Sequence, residues 1–137
     1  MRRLACDAGI IPAVLNSRGV VLDLGRSRRL ASSEQRQALR TMYSTCAFND
    51  CGTAFDRCEI HHADPFGPPT NGATDIAKLI LACQHHHHRI HDQHLRLSVD
   101  PVTRTLTVTH PDGHTEIHPF LDRRRTSADP GTLRPTA

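Results

Sequence analysis

Residues 83–91 read Cys-Gln-His-His-His-His-Arg-Ile-His, and this stretch constrains the chain more than any other. His87 and His91 stand at i and i+4, so on a helix both imidazoles project from one face. Cys83 and His86 stand at i and i+3, a spacing that makes half of a tetrahedral metal site. The segment can therefore serve two metals, one holding the fold and one doing chemistry, provided the rest of the chain supplies the missing halves.

The chain needs such help. It has 137 residues, no Trp, four Phe and one Tyr, which sets a limit of one compact domain with tails and a thin core. A structural metal is a natural supplement to a core of that size. Five Cys is an odd number, and they are interleaved with His. Without a secretory signal that mixture favours metal ligation over disulfides. Met1-Arg2-Arg3 is followed by a stretch too short and too polar for a signal-peptide core, and no apolar run is long enough to span a membrane. The expected location is the cytoplasm. Net charge is only +3, yet arginines from Arg2 to Arg40 crowd the first third, a distribution suited to a polyanion such as nucleic acid.

In chain order, residues 1–31 read as a leader holding a short strand, Val20 to Leu24, and a basic loop, Arg26 to Arg29. Ser32 offers an N-cap with Gln35 as capping-box partner, which predicts a helix from about Glu34 to Tyr43. Its stripe of Arg36 and Arg40 can reach phosphates. A loop carrying Cys46 and Cys51 leads to a strand, Cys58 to His62. A Pro- and Gly-rich loop follows, then an apolar strand, Leu79 to Ala82, and a helix from Gln84 to about Gln93. Strict alternation over Leu95–Val99 and Thr105–Thr109 predicts a β-hairpin, with Thr115–Phe120 as a further short strand. The tail, 122–137, is expected to be disordered.

Cys46-x4-Cys51 and Cys83-x2-His86 together make three thiolates and one imidazole, the donor set of structural zinc. His85 competes with His86, but the Cys-x2-His spacing favours His86. Cys58 is expected to face the core, and Cys6 to be free. His61 and His62 occupy adjacent strand positions and point to opposite sides. One of them can join His87 and His91 on a divalent ion, while the other acts as a base near neutral pH. Three imidazoles leave open positions on the ion, which is the layout of a catalytic centre.

Cys46-x4-Cys51, Cys58-Glu-Ile-His61-His62-x2-Pro65 and Thr74-Asp75-x3-Leu79-x3-Cys83-x2-His86-His87-x3-His91 together resemble the HNH endonuclease motif, in particular its actinobacterial 13E12-repeat branch. The similarity covers roughly residues 5 to 100 and extends to the leader segments Cys6–Pro12 and Val21–Leu30. It implies an α+β, ββα-metal (His-Me finger) fold over residues 32–121, with a zinc knuckle, a preceding helix and a following hairpin. It further implies DNA, double-stranded in preference, as partner and hydrolysis of phosphodiester bonds to 5′-phosphate and 3′-hydroxyl ends. His62 matches the general base, and His61, His87 and His91 match ligands of a catalytic Mg²⁺, Mn²⁺, Ni²⁺ or Zn²⁺. Cys46, Cys51, Cys83 and His86 match the zinc knuckle. Relatives carry a large N-terminal helical region, so this chain resembles a C-terminal piece.

One position departs from the motif. Its central Asn falls at Lys78, which has three donors and no acceptor and so lacks an amide's accepting oxygen. Lys78 either contacts phosphate in a working nuclease or marks a degenerate, non-catalytic, zinc-stabilised nucleic-acid-binding module. A stranded fragment of a larger protein is a third class. Arg36, Arg40 and Arg89 are the candidate nucleic-acid contacts.

Overall fold

The computed structural model describes residues 22–120. They form a small mixed α+β domain with two helices and two small sheets. The leader before Leu22, with Cys6, and the tail after Phe120 lie outside the described residues.

Helix α1 spans Ser33–Met42 and begins as its sequence dictates. The Ser32 hydroxyl accepts from the Gln35 amide at 3.1 Å, and the Gln35 side chain accepts from the Ser32 amide at 3.0 Å. Two orphan donors of the first turn are thereby satisfied reciprocally. Gln35 does more than cap, because its Nε2 donates to the carbonyls of Leu22 and Thr74 from a fully buried position. Leu39, one helical turn on and so on the same face, and Tyr43 beyond it are buried in the core.

Strands β1, Cys58–His62, and β2, Leu79–Cys83, pair antiparallel with Cys58 opposite Cys83 and His62 opposite Leu79. All five residues of β2 are buried, as expected of a short continuous apolar run. Replacing Leu81 with Ala there costs about 2–5 kcal/mol. Helix α2, Gln84–Asp92, follows β2 without a linking residue, so the order is strand, loop, strand, helix. It stops at His94, whose positive φ of 52° places it in the left-handed region. There the Leu95 amide returns to the Ile90 carbonyl at 2.9 Å, and both side chains are buried, a Schellman stop with its hydrophobic contact.

The second sheet holds β3, Arg96–Val99, β4, Leu106–Thr109, and β5, Thr115–His118, in that order. Leu97, Val99, Leu106 and Val108 occupy its inward face and join the same core as β2 and Ile90. Arg104, in the β3–β4 turn, locks the sheets together. It is buried, and its guanidinium donates to the carbonyls of Ala77 and Leu79 and to the Tyr43 hydroxyl.

The segment before α1 is stitched to the loop before β2. Asp23 and Asp75 form an antiparallel bridge, the Leu24 amide donates to Thr74 and the Thr74 amide donates to Gly25. Gly25 has a φ of +54°, a turn conformation that an L side chain adopts only with strain. Of the strand expected over Val20 to Leu24, the described part is this bridge.

Two candidate metal centres on one hairpin and helix

The first centre closes on itself. The Cys46 loop is folded by a bridge between Thr45 and Ala54 and by the Cys46 amide donating to Thr53. It brings Cys46 and Cys51 to the end of β2, where Cys83 and His86 wait. Cys51 Sγ lies 3.7 Å from Cys83 Sγ, and His86 Nδ1 lies 3.3 Å from Cys83 Sγ and 3.6 Å from Cys46 Sγ. Zinc bonds of about 2.3 Å to sulfur and 2.0–2.1 Å to nitrogen imply tetrahedron edges of roughly 3.5–3.8 Å. The donor set fits, and these four residues can hold a metal ion such as zinc.

The electrostatics of these donors differ. Burial pushes the Cys46 thiol up to about 12, so it gives up its proton only to a strong positive partner. Burial also holds His86 down at about 4, a neutral imidazole with its lone pair available. Burial acts on Cys51 in the same direction as on Cys46, but hydrogen bonds with Thr53, Cys83 and Cys46 outweigh it and leave this thiol below its ordinary value. The His86 ring stacks on the fully buried Phe48 at 4.1 Å, and Phe48 touches His118 in turn. His86 is the histidine of this four-donor cluster, whereas His85 meets it ring edge to face. Cys58 is buried on β1 and directs its thiol to the carbonyls of Thr53 and Ala54, a core residue as expected.

The second centre is open. The imidazoles of His61 on β1 and of His87 and His91 on α2 converge, with their nearest ligand atoms all within 4.8 Å of one another. Ring centroids are 4.9–5.5 Å apart. Burial, with repulsion from His87 and His91, drives His61 down to about 4 and keeps it neutral. Glu59, two residues before His61 and so on the same face of the strand, lies 2.8 Å from His87 Nδ1. That contact leaves His87 Nε2 for a cation. The three imidazoles line a cavity of about 640 Å³ that also receives His62, Phe66, Arg29 and Arg96.

His62 lies on the same cavity wall but has partners of its own. Its Nε2 meets Thr74 Oγ1 at 2.8 Å and its ring meets Phe66 edge to face. Burial and the nearby Arg29 lower its pKa, which favours the neutral imidazole.

The other candidate residues are engaged elsewhere. Lys78 Nζ pairs with Asp64 at 3.1 Å, and its carbonyl accepts from the Ala63 amide. Where the motif Asn is absent, the loop is fastened by Arg26, which donates to the carbonyls of Phe66 and Gly72 and covers the Phe66 ring. Gly72 completes the fastening, because a Cβ there would stand 2.0 Å from the Asp64 carbonyl oxygen. Arg36 and Arg40 stack on Phe55, and Arg40 also pairs with Asp56. Arg89 is held by Glu116 at 2.6 Å. The cations on the cavity wall are instead Arg29 and Arg96. Arg96 was legible as an exposed alternate of its strand, as was Glu59 from the period of β1. Thr74 stood within the motif without a role assigned to it.

Comparison with known proteins adds sequence likeness without a function. No protein-family model matches the chain. No solved structure matches it either. Over 85 residues it is 38% identical to an uncharacterised protein of Mycobacterium tuberculosis strain CDC 1551 / Oshkosh, covering 62% of this chain and 20% of that protein. An uncharacterised protein of strain H37Rv is likewise 38% identical over 85 residues, with 62% of this chain and 18% of the relative covered. The chain thus spans about a fifth of the length of the curated relatives it matches.

Proposed function

We propose that the chain is a metal-dependent endonuclease of the HNH kind, with a ββα-metal core, that hydrolyses DNA phosphodiester bonds. The observation that carries this reading is the convergence of His61, His87 and His91 on a cavity wall that His62 shares. The resemblance of the Cys and His spacing to the HNH motif supports it. So does the strand, loop, strand, helix order of the elements that bear those residues.

Each role follows from placement. His61, His87 and His91 hold a divalent ion such as Mg²⁺, Mn²⁺, Ni²⁺ or Zn²⁺. When bound, that ion supplies Lewis acidity to the scissile phosphate and offsets charge on the leaving 3′ oxygen. His62, neutral beside the same cavity, takes the proton of the attacking water. Arg29 and Arg96 neutralise flanking phosphates, a sequence-independent attraction weakened by salt. Cys46, Cys51, Cys83 and His86 would hold a zinc ion as a clamp that fixes the start of α2, and with it the positions of His87 and His91.

A single observation favours a second reading, a zinc-stabilised module that binds nucleic acid without cutting it: Lys78 stands in the position of the motif Asn, with its ammonium occupied by Asp64. Plasmid nicking with Mg²⁺, Mn²⁺ or Ni²⁺ separates the two. The nuclease cuts, and His62→Ala lowers its rate by about 10²–10⁴-fold at unchanged metal content. DNA binding without cleavage in any of these metals, or a His62→Ala variant as fast as the parent, overturns the nuclease assignment.

A further inference from the structure

We infer that Thr74 is a positioning residue that sets the tautomer of His62, holding the proton on Nε2 so that Nδ1 carries the basic lone pair. The inference deepens the nuclease reading and rests on it for the catalytic meaning of the tautomer. The tautomer itself follows from hydrogen bonding alone.

Thr74 is completely buried, and its hydroxyl has three neighbours: the Arg28 carbonyl at 2.5 Å, the Arg29 carbonyl at 3.3 Å and His62 Nε2 at 2.8 Å. A hydroxyl has one proton to give. Carbonyl oxygens only accept, so the Thr74 proton goes to the backbone of residues 28 and 29. The oxygen then has only lone pairs to offer His62, and a hydrogen bond at 2.8 Å requires the imidazole to donate. Were Nε2 unprotonated, two lone pairs would face each other at 2.8 Å, with the Thr74 oxygen itself fully buried.

The hydroxyl is itself immobilised. The Thr74 amide donates to the Gly25 carbonyl at 2.7 Å, and its carbonyl accepts from Leu24 N and from Gln35 Nε2. Residues 22–29 and the first turn of α1 therefore converge on this one residue of the loop before β2, and the Arg28 and Arg29 carbonyls meet its side-chain oxygen. This arrangement supplies what the missing Asn at position 78 does not, namely a fixed acceptor beside the histidine pair.

The test reads the tautomer first. In zinc-loaded, ¹⁵N-His-labelled protein at mildly alkaline pH, His62 Nε2 should resonate as a protonated, pyrrole-type nitrogen and Nδ1 as a pyridine-type one. The reverse assignment overturns the inference, whether or not the protein cuts DNA. Thr74→Val keeps the shape and removes the hydroxyl. It should leave metal content and DNA affinity within about twofold and lower the turnover number by roughly tenfold to a hundredfold, part of the range for a general base. Thr74→Ser should restore most of the rate and the parent's nitrogen pattern. A Thr74→Val protein that retains both pattern and rate overturns the role. Should Val prevent folding, the parent and Thr74→Ser spectra decide alone. If the parent shows the Nε2–H form yet never cleaves, the tautomer stands and the nuclease reading falls.

Discussion

The two candidate metal centres share a hairpin and a helix and meet at adjacent residues, His86 and His87, yet their surroundings differ in every respect that matters for chemistry. The Cys46, Cys51, Cys83 and His86 set is closed: four donors fill a tetrahedron, two of the thiols are buried, and an aromatic ring backs the imidazole. The His61, His87 and His91 set offers three donors on a cavity wall, with His91 exposed. On a helix, consecutive side chains point about 100° apart, since 3.6 residues make a turn. One step along α2 thus turns from a closed four-donor cluster to three imidazoles on the wall of a cavity. A closed set is suited to holding structure, and an open one to exchanging ligands.

Zinc removal should expose the contrast most sharply. Structural zinc contributes on the order of 10 kcal/mol in comparable small sites, more than a domain of this size has to spare. Chelation strong enough to strip the first centre should therefore abolish the cooperative thermal transition seen by circular dichroism. Persistence of a folded, cooperative apo protein would show that the clamp is dispensable. His91→Ala should do the opposite, lowering affinity for a second divalent ion by about tenfold or more while the melting temperature of the zinc-loaded protein stays put. Titration with Ni²⁺ or Co²⁺ followed by calorimetry measures this. A fall in melting temperature matching that of a clamp variant would erase the distinction between the sites.

Two smaller effects probe the supports behind each centre. Glu59→Ala removes the carboxylate at His87 Nδ1 and should weaken the open site by about tenfold, with the zinc content unchanged. On the clamp side, the His110 side chain, followed by Arg89 and His118, holds the Glu116 carboxyl down at about 2. Its folded value lies below its unfolded one, about 4.3. The stabilisation is therefore present above that unfolded value and is lost as pH falls toward about 2. Glu116→Gln should lower the melting temperature slightly at neutral pH, and the gap from the parent should narrow below about pH 4. A gap that is constant across this window would mean that the carboxylate charge plays no part.

Much of the arrangement was legible because it rests on local pattern. The capping box of Ser32 and Gln35, the apolar run of β2, the alternation of β3 and β4 and the ligand spacings all act over a few residues. The four-donor cluster was readable for the same reason: chemistry limits which residue types can fill a tetrahedron. Long-range placements were not. Arg104 is a charged residue in a hairpin turn, and nothing in its neighbourhood signals that it is buried against the carbonyls of the loop before β2. Arg36, Arg40 and Arg89 looked free along their helices, but their partners Phe55, Asp56 and Glu116 come from distant segments. Thr74 lay in plain view within the motif, and its meaning depends on a carbonyl forty-six residues away.

That carbonyl has a practical consequence for anyone dissecting the chain. A fragment begun at Ser32 would retain every proposed metal ligand and the whole of both sheets, and by composition it would look complete. It would lack the backbone of Arg28 and Arg29, leaving the Thr74 hydroxyl free to rotate and to donate toward His62 instead of accepting from it. Such a fragment could bind both ions and fold, and still present the wrong nitrogen to the cavity.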